Sequence, residues 1–167
     1  MARPSRTFII SHWYHHFENL QMSPLDFYAA VERAIESRQV PDAVRSRVDW
    51  REGGVFSAKR EYLRVRRHVH IFDICGAPFG NGFFVSWWLG EPMGCLFVVL
   101  TSIPILGLLV ERLVRPHTYY QIDTALMFQE VIRESVNEVV DQLTTAKGLR
   151  ALSELERKPI LHGFYGR

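Results

Sequence analysis

A chain of 167 residues has room for one ordinary domain with appendages, and a composition 47% apolar and 13% aromatic excludes a disordered protein. Twenty basic against eighteen acidic residues leave a formal charge of +2, too small to name a partner by itself. The two cysteines, Cys75 and Cys95, show no CxxC or Cys/His zinc spacing, so two free buried thiols are expected.

The opening stretch MARPSRTFIISHWYHHFENL has positive charge but neither an apolar core nor a small-residue cleavage site, and does not read as a secretory signal. Thr7 to Ile10 reads as a short strand leading into the cluster His12-Trp13-Tyr14-His15-His16-Phe17. Were the cluster helical, His12 and His16 would share a face with Glu18 nearby, a geometry zinc can use. The glutamate and third ligand of a metalloprotease motif are missing, and the interleaved aromatics favour packing. No metal or other cofactor is expected.

The first helix is predicted from Ser23 as N-cap and Pro24 as first residue, with Asp26 where the helix dipole favours a carboxylate. Phe27, Ala30, Val31, Ala34 and Ile35 recur at helical spacing, and Val40-Pro41-Asp42 ends the element. Ser46, Val48 and Trp50 then alternate with Arg45, Arg47 and Arg51, and Gly53-Gly54 supplies a turn. From Glu61 to Cys75 the alternation continues, with Leu63, Val65, Val69 and Ile71 on one face and Tyr62, Arg64, Arg66, His68 and His70 on the other. Gly76 to Gly82 reads as a loop, and Phe83 to Leu89 as a further strand. The glycines of that loop lack the lysine and hydroxyl of a phosphate-binding loop.

From Pro92 to Val110 nineteen residues carry no formal charge. As a helix they would cover about 28 Å, close to the ~30 Å hydrocarbon core of a bilayer. A membrane segment is the expectation, carried by Pro92, Leu96, Phe97, Leu100, Ile103, Ile105, Leu108 and Val110. The competing reading is a helix buried in a soluble core, because Pro104, Gly94 and Gly107 weaken a straight span. Trp87 and Trp88 fit an interfacial aromatic belt as well as they fit strand packing. One pass is the simpler topology, and Pro104 allows a shallow hairpin instead. With no signal, the N-terminal domain is expected in the cytoplasm, attached to the membrane.

Beyond a break at Arg115-Pro116-His117, Asp123 can cap a last long helix. Its apolar stripe, Ala125, Phe128, Ile132, Val136, Val139 and Leu143, recurs at spacings of three and four. The stripe packs either on the chain's own sheet or against a second subunit, which makes Phe128, Ile132, Val136, Val139 and Leu143 a candidate interface. Lys147-Gly148 closes the helix, Ser153 to Glu156 offers a capping box, and the tail from Ile160 is expected to be extended.

The fold class is therefore α+β: a small antiparallel sheet with an N-terminal helix, one membrane-inserted segment and a C-terminal amphipathic helix. The division is 1–90, 91–114 and 115–167. Charge is unevenly spread, basic from Arg45 to His70 and acidic from Ile122 to Ala146. Arg45, Arg47, Arg51, Arg64 and Arg66 are candidate contacts for an anionic surface; nucleic acid is disfavoured because no recognition motif accompanies them. No Ser-His-Asp set, paired carboxylates or cofactor fingerprint can be assembled. The functional expectation is a membrane-attached, non-enzymatic subunit or adaptor that binds a protein partner or a second copy of itself. A soluble small-molecule-binding protein or enzyme is the alternative.

Overall fold

The computed structural model describes residues 7–51, 59–92 and 118–162. Five long strands and two helices are ordered β1 (Thr7–Glu18), α1 (Pro24–Ser37), β2 (Val44–Arg51), β3 (Lys59–Arg67), β4 (His70–Phe79), β5 (Gly82–Pro92) and α2 (Tyr119–Ala146), followed by a two-residue strand β6 (Ile160–Leu161). The strands form one antiparallel sheet in the order β2-β3-β4-β5-β1-β6.

Alternation divides the sheet into two faces. Leu63, Val65, Phe72, Ile74, Phe83, Val85, Trp87 and Leu89 point to one side and are almost fully buried. Both helices lie on that side. Phe27 of α1 meets the Phe83 ring edge-on at 5.5 Å, and Phe128 of α2 meets Phe72 likewise at 6.2 Å. Phe128, Ile132, Val136 and Val139 join Ile10, Val31, Phe72 and Leu89 in one hydrophobic cluster, with Leu143 packed at its edge. The α2 stripe is thus spent within the chain, one of the two partners its periodicity allowed. The helix belongs to the same core as residues on the other side of the apolar run, so the run does not divide two cores.

Local signals explain the helix ends. The Ser23 hydroxyl accepts from the Leu25 amide and Pro24 opens α1, as its sequence predicts. The helix stops at Ser37, ahead of the expected Val40-Pro41-Asp42, because Gln39 already takes a left-handed φ of 48°. Helix α2 starts earlier than Asp123. Thr118 caps it through a capping box, its hydroxyl accepting from the Gln121 amide while the Gln121 side chain accepts from the Thr118 amide.

The strand expected over Thr7 to Ile10 continues through the aromatic and histidine cluster to Glu18, so the helical condition for a zinc geometry is not met, and His12, Tyr14 and His16 share a sheet face. Two expectations are corrected. Glu61 to Cys75 is not one strand. It turns at His68-Val69, with His68 at a φ of 50°, and the turn reverses the parity beyond it: His70 faces the core and Ile71 the other side. The Gly76–Gly82 loop shrinks to a turn at Gly80-Asn81, since β4 runs on to Phe79 and β5 starts at Gly82. Gly76 sits inside a strand because the Phe27 ring lies where its Cβ would be.

No helix among the described residues is long and apolar enough to cross a membrane. Of the membrane-segment residues, Pro92 closes β5 opposite Thr7; Leu96, Phe97, Leu100, Ile103, Ile105, Leu108 and Val110 lie outside the described residues.

Candidate binding face

The second face of the sheet has no described helix on it. The register sets His12 opposite Trp88, Tyr14 opposite Ser86, and His16 opposite Phe84 across β1 and β5. Across β5 and β4 the same face continues from Trp88 to Asp73, Ser86 to Cys75 and Phe84 to Ala77. The His12 ring stacks on Trp88 at 4.5 Å between centroids and on His162 at 4.7 Å. Tyr14 is exposed at 57% and Trp88 at 36%, so an aromatic strip is left open beside the β1 edge.

His12 and His162 are joined directly, Nε2 of His162 lying 2.6 Å from Nδ1 of His12. A contact of this kind needs one ring to donate and the other to accept, so the pair holds with at least one ring neutral. Burial first, and the neighbouring His162 second, push the His12 pKa below its ordinary value. The contact continues the β6 pairing, in which the His162 amide donates to the Ile10 carbonyl at 2.7 Å.

Near the middle of the face, Cys75 is fully buried, close to the side chains of Tyr28, Tyr62 and Ser86. Burial pushes its thiol pKa up, which opposes the thiolate that nucleophilic chemistry needs. Among the described residues no three His, Cys, Asp or Glu side chains converge as metal ligands. His15 and His16 point to opposite sides of β1. His15 stands by Trp13 and Phe17, while a ring nitrogen of His16 lies 3.0 Å from the Phe79 carbonyl oxygen.

The candidate anionic-surface arginines do not form one patch, because parity splits them. Arg45 and Arg47 pair across to Val65 and Leu63 and therefore lie on the helix side. Arg47 stacks over the Tyr28 ring at 4.4 Å and reaches Glu32 at 3.0 Å and Glu61 at 3.6 Å; Arg45 reaches Glu36 at 3.5 Å. Arg64 and Arg66 lie on the opposite face. Arg64 is held by Asp73 through two hydrogen bonds of 2.7 Å, a fork that leaves little of its charge for a ligand. Arg66 stays exposed at the β3–β4 turn, and the Arg51 side chain lies outside the described residues.

Sequence reasoning missed the His12–His162 contact, which joins residues 150 positions apart. The capping box expected at Ser153 to Glu156 forms, the Ser153 amide donating to the Glu156 carboxylate and the Ser153 hydroxyl accepting from the Glu156 amide. Arg150, the Ser153 amide and the Ser153 hydroxyl hold that carboxyl at a pKa of about 2, and its backbone carbonyl accepts from Trp13 Nε1 at 2.6 Å. The capping-box pattern at Ser153 pointed to the turn but not to its attachment on β1. No family model, curated protein or solved structure matches this chain.

Proposed function

We propose that this chain is a membrane-attached, non-enzymatic adaptor: the run from Pro92 to Val110 enters lipid, and the folded body presents its helix-free sheet face to a protein partner. One observation carries the topology of this reading. Residues before the run and residues after it build a single hydrophobic core, Leu89 and Phe72 on one side of it in sequence and Phe128, Ile132 and Val136 on the other. Two chain segments that share a core stand on the same side of a bilayer. A single pass, the simpler topology from sequence, would tear that core apart, so the run enters and leaves from one side.

Chain length agrees. Between Pro92 and Thr118 there are 25 residues, whereas two full crossings by helix need roughly 40. Such a run reaches into one leaflet and returns. Its nineteen uncharged residues supply the affinity, since central Leu, Ile, Val and Phe each contribute about −0.3 to −0.6 kcal/mol on insertion scales and a charge costs about 2.5–3.5 kcal/mol.

For the partner, the open aromatic strip is the best-suited surface, because Tyr and Trp are enriched where protein interfaces bury their centre. With the α2 stripe occupied internally, the helix has left for a partner its acidic outer face and the exposed side chains of Tyr119, Tyr120, Leu126 and Met127.

Membrane flotation tests the attachment. Leu100→Arg with Ile105→Arg should release the protein from membranes without unfolding residues 7–92. A wild-type chain that stays soluble and monodisperse without detergent refutes the reading. A photo-crosslinking residue at Tyr14 or Trp88 should give one reproducible adduct in membranes, and the same residue at exposed Leu25 should not.

A further inference from the structure

The two sides of the sheet end differently. Strand β2, at one edge, carries charges at Arg45, Arg47 and Asp49, which keep a further strand from pairing there. Strand β1, toward the other edge, has no formally charged residue from Thr7 to Phe17. It pairs with β5 from Thr7 to Glu18, whereas β6 meets its outer side at Ser11 and His12 alone. The turn at Glu156 is attached to β1 through the Trp13 indole, whose side chain lies with the core on the helix side.

Backbone groups alternate in direction along a strand. The His162 amide donates to the Ile10 carbonyl, so that carbonyl points outward. At a period of two, the amides and carbonyls of His12, Tyr14, His16 and Glu18 point outward as well, and those of Trp13, His15 and Phe17 point at β5. Ile160 of β6 is paired with His12. Among the described residues no strand meets Tyr14, His16 or Glu18 on that side. The Tyr14 and Glu18 side chains are exposed, and the His16 ring is turned back to the Phe79 carbonyl, away from the edge.

We propose that a second copy of this chain adds to the β1 edge over Tyr14–Glu18, joining two sheets into one. Outward amides and carbonyls at strand spacing are complemented by another strand. Set antiparallel about a two-fold axis, Tyr14, His16 and Glu18 of one copy meet Glu18, His16 and Tyr14 of the other. Sliding the copies either way along each other loses one of these pairs or displaces β6. Charge fits the same register: the Tyr14 hydroxyl of each copy comes beside the Glu18 carboxylate of the other, and no formal charges of like sign are set opposite. The axis is normal to the sheet, so both open faces look the same way and their aromatic strips become neighbours. This pairing goes beyond the adaptor reading and does not depend on the membrane attachment proposed above.

The test is sedimentation equilibrium of the full chain in mild detergent, at protein concentrations up to about 100 μM because association follows mass action. The wild-type chain should dimerise. His16→Lys sets two ammonium groups opposite each other on the axis and His16→Glu two carboxylates, so each variant should weaken the dimer by more than about 10-fold. An equimolar mixture of the two variants should recover it. Tyr14→Pro removes one outward amide and no rung of the β1–β5 ladder, and should also yield monomers. Thermal melts of all three variants should show the cooperative transition of the wild type. A monomeric wild-type chain over the whole range overturns the proposal, as do folded variants that associate like the wild type, since association then lies elsewhere. Weakened variants that fail to recover on mixing overturn the pairing of His16 with His16.

Discussion

The Tyr28 hydroxyl accepts a hydrogen bond from the Gly76 amide at 3.2 Å and donates to the Glu61 carbonyl at 2.7 Å, standing in for a rung of the β3–β4 ladder. The register that pairs Leu63 with Ile74 would bring Glu61 opposite Gly76, but the ladder stops at Leu63 and the phenol bridges the gap. Burial pushes the Tyr28 pKa well up, so it remains a protonated donor. Tyr28→Phe keeps the ring packing and strands a buried amide and carbonyl. It should cost about 1–3 kcal/mol in denaturant unfolding with the m-value unchanged. No loss of stability would mean that water or the strands themselves close the gap.

Gly76→Ala probes the same junction from the other side. The added Cβ would run into the Phe27 ring, which is fully buried and has nowhere to retreat. Destabilisation of about 1–3 kcal/mol is expected, recovered in part by Phe27→Leu, which frees the space. Thermal melts of the two single variants and the double variant measure the coupling.

The α2 stripe should behave as core. Ile132 is fully buried and Val139 nearly so, and a carboxylate at either position would sit inside the hydrophobic cluster. Ile132→Asp and Val139→Asp should each cost more than about 4 kcal/mol and abolish the cooperative transition of the whole domain, sheet included. A folded sheet that merely loses an oligomeric state would place the stripe at an interface instead.

Much of this architecture was legible in the sequence where one local rule acted alone. Ser23-Pro24 announced α1, and the three-and-four spacing from Phe128 to Leu143 announced the buried side of α2. The Glu61–Cys75 stretch failed because a two-residue turn leaves the polar and apolar alternation nearly intact, so His68-Val69 carries no break signal. The grouping of Arg45 and Arg47 with Arg64 failed for a related reason. Strand parity assigns faces only after the register is known, and the pairing of Arg47 with Leu63 sets it. The His12–His162 contact depends on the tail returning to β1, which no local pattern records.

That contact makes the β1 edge sensitive to pH. The folded-state pKa of His12 lies below its ordinary value of 6.5, so the unfolded state binds the proton more readily. The stability contributed by neutral His12 is therefore fully present above pH 6.5 and lost as pH falls through the lowered value. Hydrogen-exchange protection of the His162 amide, which is bonded to Ile10, should decline over that interval, and His162→Ala should remove the dependence. Constant protection across the interval would show that β6 is held by its backbone bonds alone.

The central claim is that the chain attaches to a membrane with both flanks of its apolar run on one side. Single-cysteine chains lacking the native thiols, with either Asn81→Cys before the run or Lys147→Cys after it, can be treated with a membrane-impermeant thiol reagent in sealed, right-side-out and inverted vesicles. Both sites are exposed. The shared core predicts that the two react in vesicles of the same orientation and are protected together in the other. Labelling from opposite sides, or recovery of the chain outside the membrane fraction, would contradict it.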